Sequence, residues 1–314
     1  MKYFRLFFLC ILTFFLNSTF ALRLSLPPSG NDLVGQIQFA SVREGETFAT
    51  IAERYDIGYY QLVEANPEVD PNQLQPGTVL IIPTQYLLPP VPKEGIVINL
   101  AAMRLYYFPK GKNYFYTYPV GIGRFNWSTP LGKLHIIQKI KNPVWVVPDS
   151  VLRYRQENGD PVPKMMPSGP ENPLGYYALR LSQPTYLIHG TNDPSSVGRR
   201  SSAGCIHLYP EDIKALFGMV SVDTPVLIIN QPYVVGQNDG KLYLEAHLPL
   251  KEDRKELFAN LSGVVETLIN DHLKSAPEEP RINLEKATEI VKEHIGLPAL
   301  VSFSNVSSNT PQQS

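Results

Sequence analysis

The sequence predicts a mainly β central domain, preceded by a small strand–helix–helix–strand module and followed by a helical extension. Three observations carry this. From Gly95 onward, short runs of Val, Ile, Leu and Tyr are separated by turn signals at intervals of about 8–12 residues, the spacing of an all-β sandwich or barrel. Proline, 29 of 314 residues, interrupts these runs, which suits strands joined by long ordered loops better than helices. On either side apolar residues fall at helical spacing, at Phe48, Ile51, Ala52 and Tyr55 and again at Leu257, Leu261, Val264, Val265, Leu268 and Ile269.

The elements follow in chain order. Residues 1–21 combine Lys2 and Arg5, an apolar run over 6–16 broken by Thr13, and small residues up to Ala21. These are signal-peptide proportions, and the run is shorter than the roughly 20 apolar residues that a membrane span needs. An uncleaved tether is the alternative; either way the rest of the chain is expected outside the cytoplasm. Removing this leader leaves 26 basic and 29 acidic residues, a balance without the basic excess of a nucleic-acid-binding surface.

Residues 40–84 read as a separate module. Glu46 or Thr47 caps a first helix, a second carries Tyr60, Leu62, Val63 and Ala65, and Leu74-Gln75-Pro76-Gly77 turns into a strand over 79–83. Residues 85–94, proline-containing, are expected as a semi-rigid linker. In the central domain, 95–235, strands are expected over 96–100, 103–108 and 114–120, with Pro109-Lys110-Gly111-Lys112 as a hairpin turn. Further strands are expected over 133–139, 176–181 and 185–188. The stretch 160–175 is too rich in proline for sheet or helix and reads as a functional lid.

The chemistry concentrates at a thiol. Cys10 lies in the leader, so Cys205 is the one cysteine of the mature chain. Exported proteins normally pair their cysteines or lack them, so this thiol is either buried and inert or kept for its nucleophilicity. A cysteine nucleophile needs a base or cation nearby, because an unperturbed thiol is only a few per cent ionised at neutral pH. His189, at the end of an apolar strand, is the candidate base, and Gly204 allows close approach of a carbonyl substrate. The N–H groups of Gly204 and Cys205 are candidate oxyanion donors.

Two resemblances give these residues a context. Val42, Gly45-Glu46-Thr47-Phe48, Ile51-Ala52, Asn66, Leu74, Gly77 and Ile82-Pro83 resemble the LysM glycan-binding module, which implies recognition of peptidoglycan glycan strands. His189-Gly190-Thr191-Asn192, Gly198 and Ser202-x-Gly204-Cys205-Ile206 resemble the signature of the YkuD-type L,D-transpeptidases. Gly121-Ile122-Gly123, Thr129-Pro130-x-Gly132 and Pro167-x-Gly169-Pro170-x-Asn172-Pro173-Leu174-Gly175 are similar to the branch that includes the lipoprotein-anchoring enzymes.

This second resemblance implies a YkuD-like β-sandwich fold and cysteine acyl-enzyme chemistry on stem peptides in the periplasm or cell envelope. It implies Cys205 as nucleophile and His189 as general acid/base, oriented by the Gly190 carbonyl. Ser202, Gly204 and His207 are implied as supporting residues, with Thr191 and Asn192 shaping the loop and Tyr176 or Trp145 walling the groove under the lid. The acceptor is left open between a second stem, a lysine of an envelope lipoprotein, and water. One departure stands out: the family carries arginine two residues after the cysteine, and this chain has His207. Histidine there implies altered substrate preference, pH dependence or a weakened site, with Arg199 or Arg200 as compensating cations or plain loop charges.

Residues 236–300 are expected as a strand near 242–247 and helices over 251–273 and 284–295, the latter capped by Asn283, with a disordered tail over 301–314. His247, His272 and His294 are too far apart for a metal site and read as surface; no cofactor motif is present in the sequence. The rival classes are a metal hydrolase, an L,D-carboxypeptidase of the same fold, and a non-catalytic peptidoglycan-binding protein.

Overall fold

The structure is a computed structural model that describes residues 22–274 and 281–303; the leader over 1–21 and the tail beyond Phe303 lie outside the described residues. Strand-forming runs in the central domain assemble one nine-stranded sheet. Its order is Leu22–Ser25, Tyr114–Pro119, Arg104–Phe108, Gly95–Asn99, Pro225–Ile229, Gly132–Lys141, Tyr177–Leu181, Leu187–His189 and Ile206–His207. Neighbours are antiparallel except for two parallel pairs, Gly95–Asn99 with Pro225–Ile229 and Leu187–His189 with Ile206–His207.

The sheet curls on itself. Ile96, Leu105 and Tyr118 near one edge share an apolar core with Ile188 and Ile206 at the other, together with Ile213 and Leu216 of the helix Pro210–Met219. Gly121, just past the end of Tyr114–Pro119, makes a bridge of two backbone hydrogen bonds with His207, which brings the edges together. The alternate residues Val97, Tyr106, Phe108 and Phe115 face the other side, as a period of two requires, and pack on Val34, Tyr86 and Leu88. The central strands are therefore covered on both faces, and every residue of Gly95–Asn99 and Arg104–Phe108 is buried.

The small module is built as the sequence suggests, with helices Phe48–Arg54 and Tyr59–Glu64 between the antiparallel strands Gln38–Ser41 and Val79–Ile82. Thr47 is the first helix's cap, its hydroxyl accepting from the Thr50 N–H. Asn66 stitches the second helix to the strand: its amide donates to the Leu62 and Ile81 carbonyls and accepts from the Ile81 N–H.

Several expectations are corrected. The stretch 85–94 is not a plain linker: Gln85–Leu87 pairs with Leu33–Gly35, and Tyr86, Leu87 and Leu88 are buried. The module is docked, with Gln61 accepting from the fully buried Arg104 at 2.7 Å and the Tyr209 hydroxyl donating to the Ile57 carbonyl at 3.1 Å. The stretch 160–175 is not free of strand: Met165–Met166 pairs with Trp145–Val146, and the helix Asp149–Glu157 lies between the two. Asn172, 1% exposed, holds its closing turn through the carbonyls of Pro143 and Pro167.

The C-terminal part is a three-stranded sheet, Tyr233–Asn238, Lys241–Ala246 and Ala299–Leu300, packed on helices Leu261–Leu273 and Leu284–Glu293. Asn260 breaks the expected 251–273 helix into Arg254–Ala259 and Leu261–Leu273. His247 is not on the surface: it is 2% exposed, wedged between Glu245 and Glu64 at 2.9 and 3.0 Å. His272 and His294 are half-buried. Val301 and Ser302 are packed rather than disordered, Ser302 accepting from the Leu242 N–H.

Candidate active site

Strand pairing brings the thiol and the histidine together. Ile188 is the register partner of Ile206, and His189 of His207, in the parallel pair at the sheet edge. Cys205 immediately precedes Ile206, so the chain enters this strand from Cys205 beside the strand that ends in His189.

His189 is 7% exposed, and its Nδ1 lies 2.6 Å from the Gly190 carbonyl oxygen. A carbonyl only accepts, so Nδ1 carries the proton and Nε2 keeps its lone pair as the base. Burial, with the neighbouring His207, lowers the imidazole to about 3, so it is neutral at pH 7. Burial pushes the Cys205 thiol up to about 11. The residue is half-buried, and Sγ donates to the Thr185 carbonyl at 3.7 Å. The resting pair is thus a neutral thiol and a neutral imidazole, with no hydrogen bond yet between them among the described residues.

The turn before Cys205 is held by Ser202. Its hydroxyl donates to the Cys205 carbonyl at 2.5 Å and accepts the Gly204 N–H at 3.1 Å. The Gly204 N–H is therefore already committed, which corrects its reading as an oxyanion donor. The Cys205 N–H makes no hydrogen bond to the described residues. Gly204 contributes conformation instead: its φ is +108°, and a Cβ there would meet the Tyr186 ring at 2.8 Å.

His207 is 4% exposed and is held beside this site by Ser196, whose hydroxyl and carbonyl oxygens lie 3.0 and 3.2 Å from Nε2. The carbonyl contact makes Nε2 the protonated nitrogen. Burial lowers His207 to about 4, so it supplies no cation at neutral pH. Its ring fills the space that a Cβ on Gly121 would need. Neither expected compensating arginine is free. Arg200 forms a two-bond pair with Glu252 at 2.8 and 2.9 Å and donates to the Gly123 carbonyl. Arg199 lies 3.3 Å from the centre of the Tyr59 ring in the small module and donates to the Ser195 carbonyl.

The remaining named residues are structural or peripheral. Thr191 accepts the Asp193 N–H, and Asn192 donates to the Glu171 carbonyl. Tyr176 borders a cavity of about 350 Å³ behind Gly190, lined also by Thr191 and Glu211, whereas Trp145 lies in the short hairpin. Among the described residues no group of three metal-ligating side chains converges. Sequence reading missed Arg124, whose guanidinium stacks between Trp127 and Tyr154 beside the Gly204 turn. The Trp127 side chain three residues along was the signal available.

Residues 93–228 match the model of the L,D-transpeptidase catalytic domain (YkuD), and residues 40–83 match that of the LysM domain. The chain is 37% identical over 291 residues to the protein named "Probable L,D-transpeptidase YcfS" of Escherichia coli (strain K12), covering 91% of this chain and 90% of that one. It is 37% identical over 293 residues to "Probable L,D-transpeptidase ErfK/SrfK" of Salmonella typhimurium, covering 91% and 94%. A solved catalytic domain of the E. faecium L,D-transpeptidase is similar at 23% identity and a TM-score of 0.35, over 45% of this chain and 99% of that one.

Proposed function

The chain belongs to the YkuD-type L,D-transpeptidase family, and from that premise we propose that it is an exported acyltransferase acting on peptidoglycan stem peptides through a Cys205 thioester. The observation that carries the reading is the pairing of Leu187–His189 with Ile206–His207. It supports the reading by laying the strand that ends in His189 alongside the strand that follows Cys205, with His189 Nε2 left as the unprotonated nitrogen.

In the first half-reaction His189 Nε2 takes the thiol proton as Cys205 Sγ bonds to the carbonyl carbon at the L-centre of diaminopimelate. The bond to the terminal D-alanine breaks, and its nitrogen takes the proton from His189. The second half-reaction mirrors the first. His189 deprotonates an acceptor amine, which attacks the thioester, and the proton returns to the departing sulfur. The buried, neutral state of both groups suits this order, because charge develops only as the bond forms. The Cys205 N–H, without a hydrogen-bond partner among the described residues, is the donor left to stabilise the oxyanion.

The acceptor is the amine of a second stem or a lysine of an envelope lipoprotein. The LysM module supports binding to glycan strands; because it is docked through Gln61, Ile57 and Tyr59, it holds that strand at a set distance from the thiol. The leader over 1–21 supports a place in the periplasm or cell envelope.

The test is intact-protein and muropeptide mass spectrometry after incubation with a disaccharide-tetrapeptide donor, with and without a second stem or a lysine peptide. The expected result is an acyl adduct on Cys205, loss of D-alanine, and transfer to one acceptor. Cys205→Ser and His189→Asn abolish all three. Turnover unaffected by Cys205→Ser would overturn the mechanism, and release of free tripeptide alone would make the protein a carboxypeptidase.

A further inference from the structure

The surroundings of the thiol lack charge. His189 and His207 are both held neutral, and Arg199 and Arg200 are occupied by Tyr59 and Glu252. A stem peptide brings several carboxylates, and bringing one into a half-buried groove without a cation is costly. The turn that borders the groove supplies a cation at Arg124.

This turn is fastened to the nucleophile's turn at several points. The Arg124 N–H donates to the Ser202 carbonyl at 3.0 Å. Thr129 accepts the Gly123 N–H at 3.0 Å and donates its hydroxyl to the Gly204 carbonyl at 2.9 Å. The Trp127 and Ser128 carbonyl oxygens lie 3.6 and 3.4 Å from where a Cβ on Gly204 would sit.

The side chain is fixed by aromatic faces instead of by hydrogen bonds. The Arg124 guanidinium carbon is 3.8 Å from the centre of the Tyr154 ring and 4.6 Å from that of Trp127, and the two rings meet edge-on at 5.8 Å. Nε is buried without an acceptor, and among the described residues Arg124 has neither an ion-pair partner nor a side-chain hydrogen bond. A guanidinium held against two aromatic rings and not by acceptors keeps its donor fork for a ligand, and that fork matches a carboxylate with two parallel N–H···O bonds.

We infer that Arg124 is a specificity residue of this active site that binds a carboxylate of the donor stem peptide. The inference rests on a stem peptide being the donor. In this arrangement Tyr154, carried by the helix Asp149–Glu157 of the lid region, orients the fork, and Trp127 ties it to the turn beside Cys205. Arg124 thereby supplies the fixed charge that His207 does not.

The donor presents three carboxylates: that of the terminal D-alanine, that of the second centre of diaminopimelate, and that of the D-glutamate. The experiment compares kcat/KM for the free-acid donor and for three donors each amidated at one of them. The proteins are the wild type, Arg124→Gln, Arg124→Lys and Tyr154→Leu. One amidation is expected to lower wild-type kcat/KM by about 10- to 100-fold, the size of a lost charge-assisted pair, mainly through KM. Arg124→Gln loses the same factor on the free-acid donor and is indifferent to that amidation. Arg124→Lys recovers part of the discrimination, and Tyr154→Leu weakens it while the charge remains.

Iodoacetamide labelling of Cys205 at an equal rate in every variant reports that the thiol's turn is intact. If Arg124→Gln keeps the wild-type ranking of all four donors, or labels at a changed rate with no change in ranking, Arg124 is a lid-packing residue and the inference is overturned. Absence of wild-type turnover on every donor overturns the stem-peptide donor itself, and this inference with it.

Discussion

The imidazoles of His189 and His207 lie 6.0 Å apart, ring facing ring, at paired positions of two parallel strands. Both are buried and both are held below the ordinary histidine range, to about 3 and about 4. A depressed base is neutral above its folded pKa, so His207 is predominantly neutral between pH 5 and 8. This removes a titrating His207 as a source of pH dependence in that range and leaves its hydrogen bonds to Ser196 as its contribution. His207→Gln, which keeps a neutral donor for the Ser196 carbonyl, is expected to stay within about threefold of wild-type activity with an unchanged pH profile. His207→Ala leaves that carbonyl with the Arg199 N–H as its remaining partner and is expected to cost about fivefold, one net hydrogen bond. Steady-state rates across pH 5–8 check both, and a profile displaced by His207→Gln would show that the ring does titrate there.

The thiol offers a second handle. With Cys205 pushed up to about 11, roughly one molecule in 10⁴ is thiolate at pH 7. Alkylation by iodoacetamide is therefore expected to accelerate about tenfold per pH unit from 7 to 9 without levelling off. His189→Asn should hardly alter that rate while abolishing acylation by peptide, because the imidazole acts during attack and not on the resting thiol. A plateau below pH 8.5 would mean a preformed thiolate–imidazolium pair.

What the sequence made legible is local. Thr47 and Asn283 cap the helices expected of them, and the strands that carry His189 fall where apolar runs end. The contact of His189 with the Gly190 carbonyl was expected from the family resemblance and not from spacing, and it is a local one. Burial that depends on distant segments was not. His247 looks like an exposed histidine until Glu64, 183 positions away, is brought against it. Gln85–Leu87 is a strand only because Leu33–Gly35 pairs with it, and Leu22–Ser25 only because Tyr114 to Thr117 lies alongside. Arg124 is ordinary in sequence; its position over the Tyr154 ring depends on the helix Asp149–Glu157 being folded back against the 124–127 turn, a contact between segments that local pattern does not encode.

The docking of the small module has a thermodynamic consequence. Arg104 is fully buried, donates to Gln61 at 2.7 Å and to Thr117 at 3.2 Å, and stacks on Tyr86 at 4.4 Å. Gln61→Ala, a change in the LysM module, leaves the guanidinium of the catalytic domain short of an acceptor. It is expected to cost about 2 kcal/mol and to lower the Tm of the whole unit by about 4–8 °C. Calorimetry should show one transition that moves as a block. Two transitions, with only the smaller responding, would mean that the module folds independently.

The third site of coupling is charged and responds to pH in the opposite sense from His189. Burial alone would lower His247, but hydrogen bonds to Glu245 and Glu64 outweigh it and raise the imidazole to about 10. Unfolded, the same side chain titrates near 6.5. Between these values the folded state holds a proton that the unfolded state lacks, so unfolding free energy falls as pH rises, by at most about 1.4 kcal/mol per unit from this group. The stabilisation is fully present below pH 6.5 and lost as pH approaches 10. His247→Gln removes the titrating group and with it this slope. Urea denaturation of both proteins from pH 6 to 10 should therefore show the wild-type advantage shrinking steadily with pH. A gap that stays constant would mean that the folded protein holds no extra proton at His247 over this range.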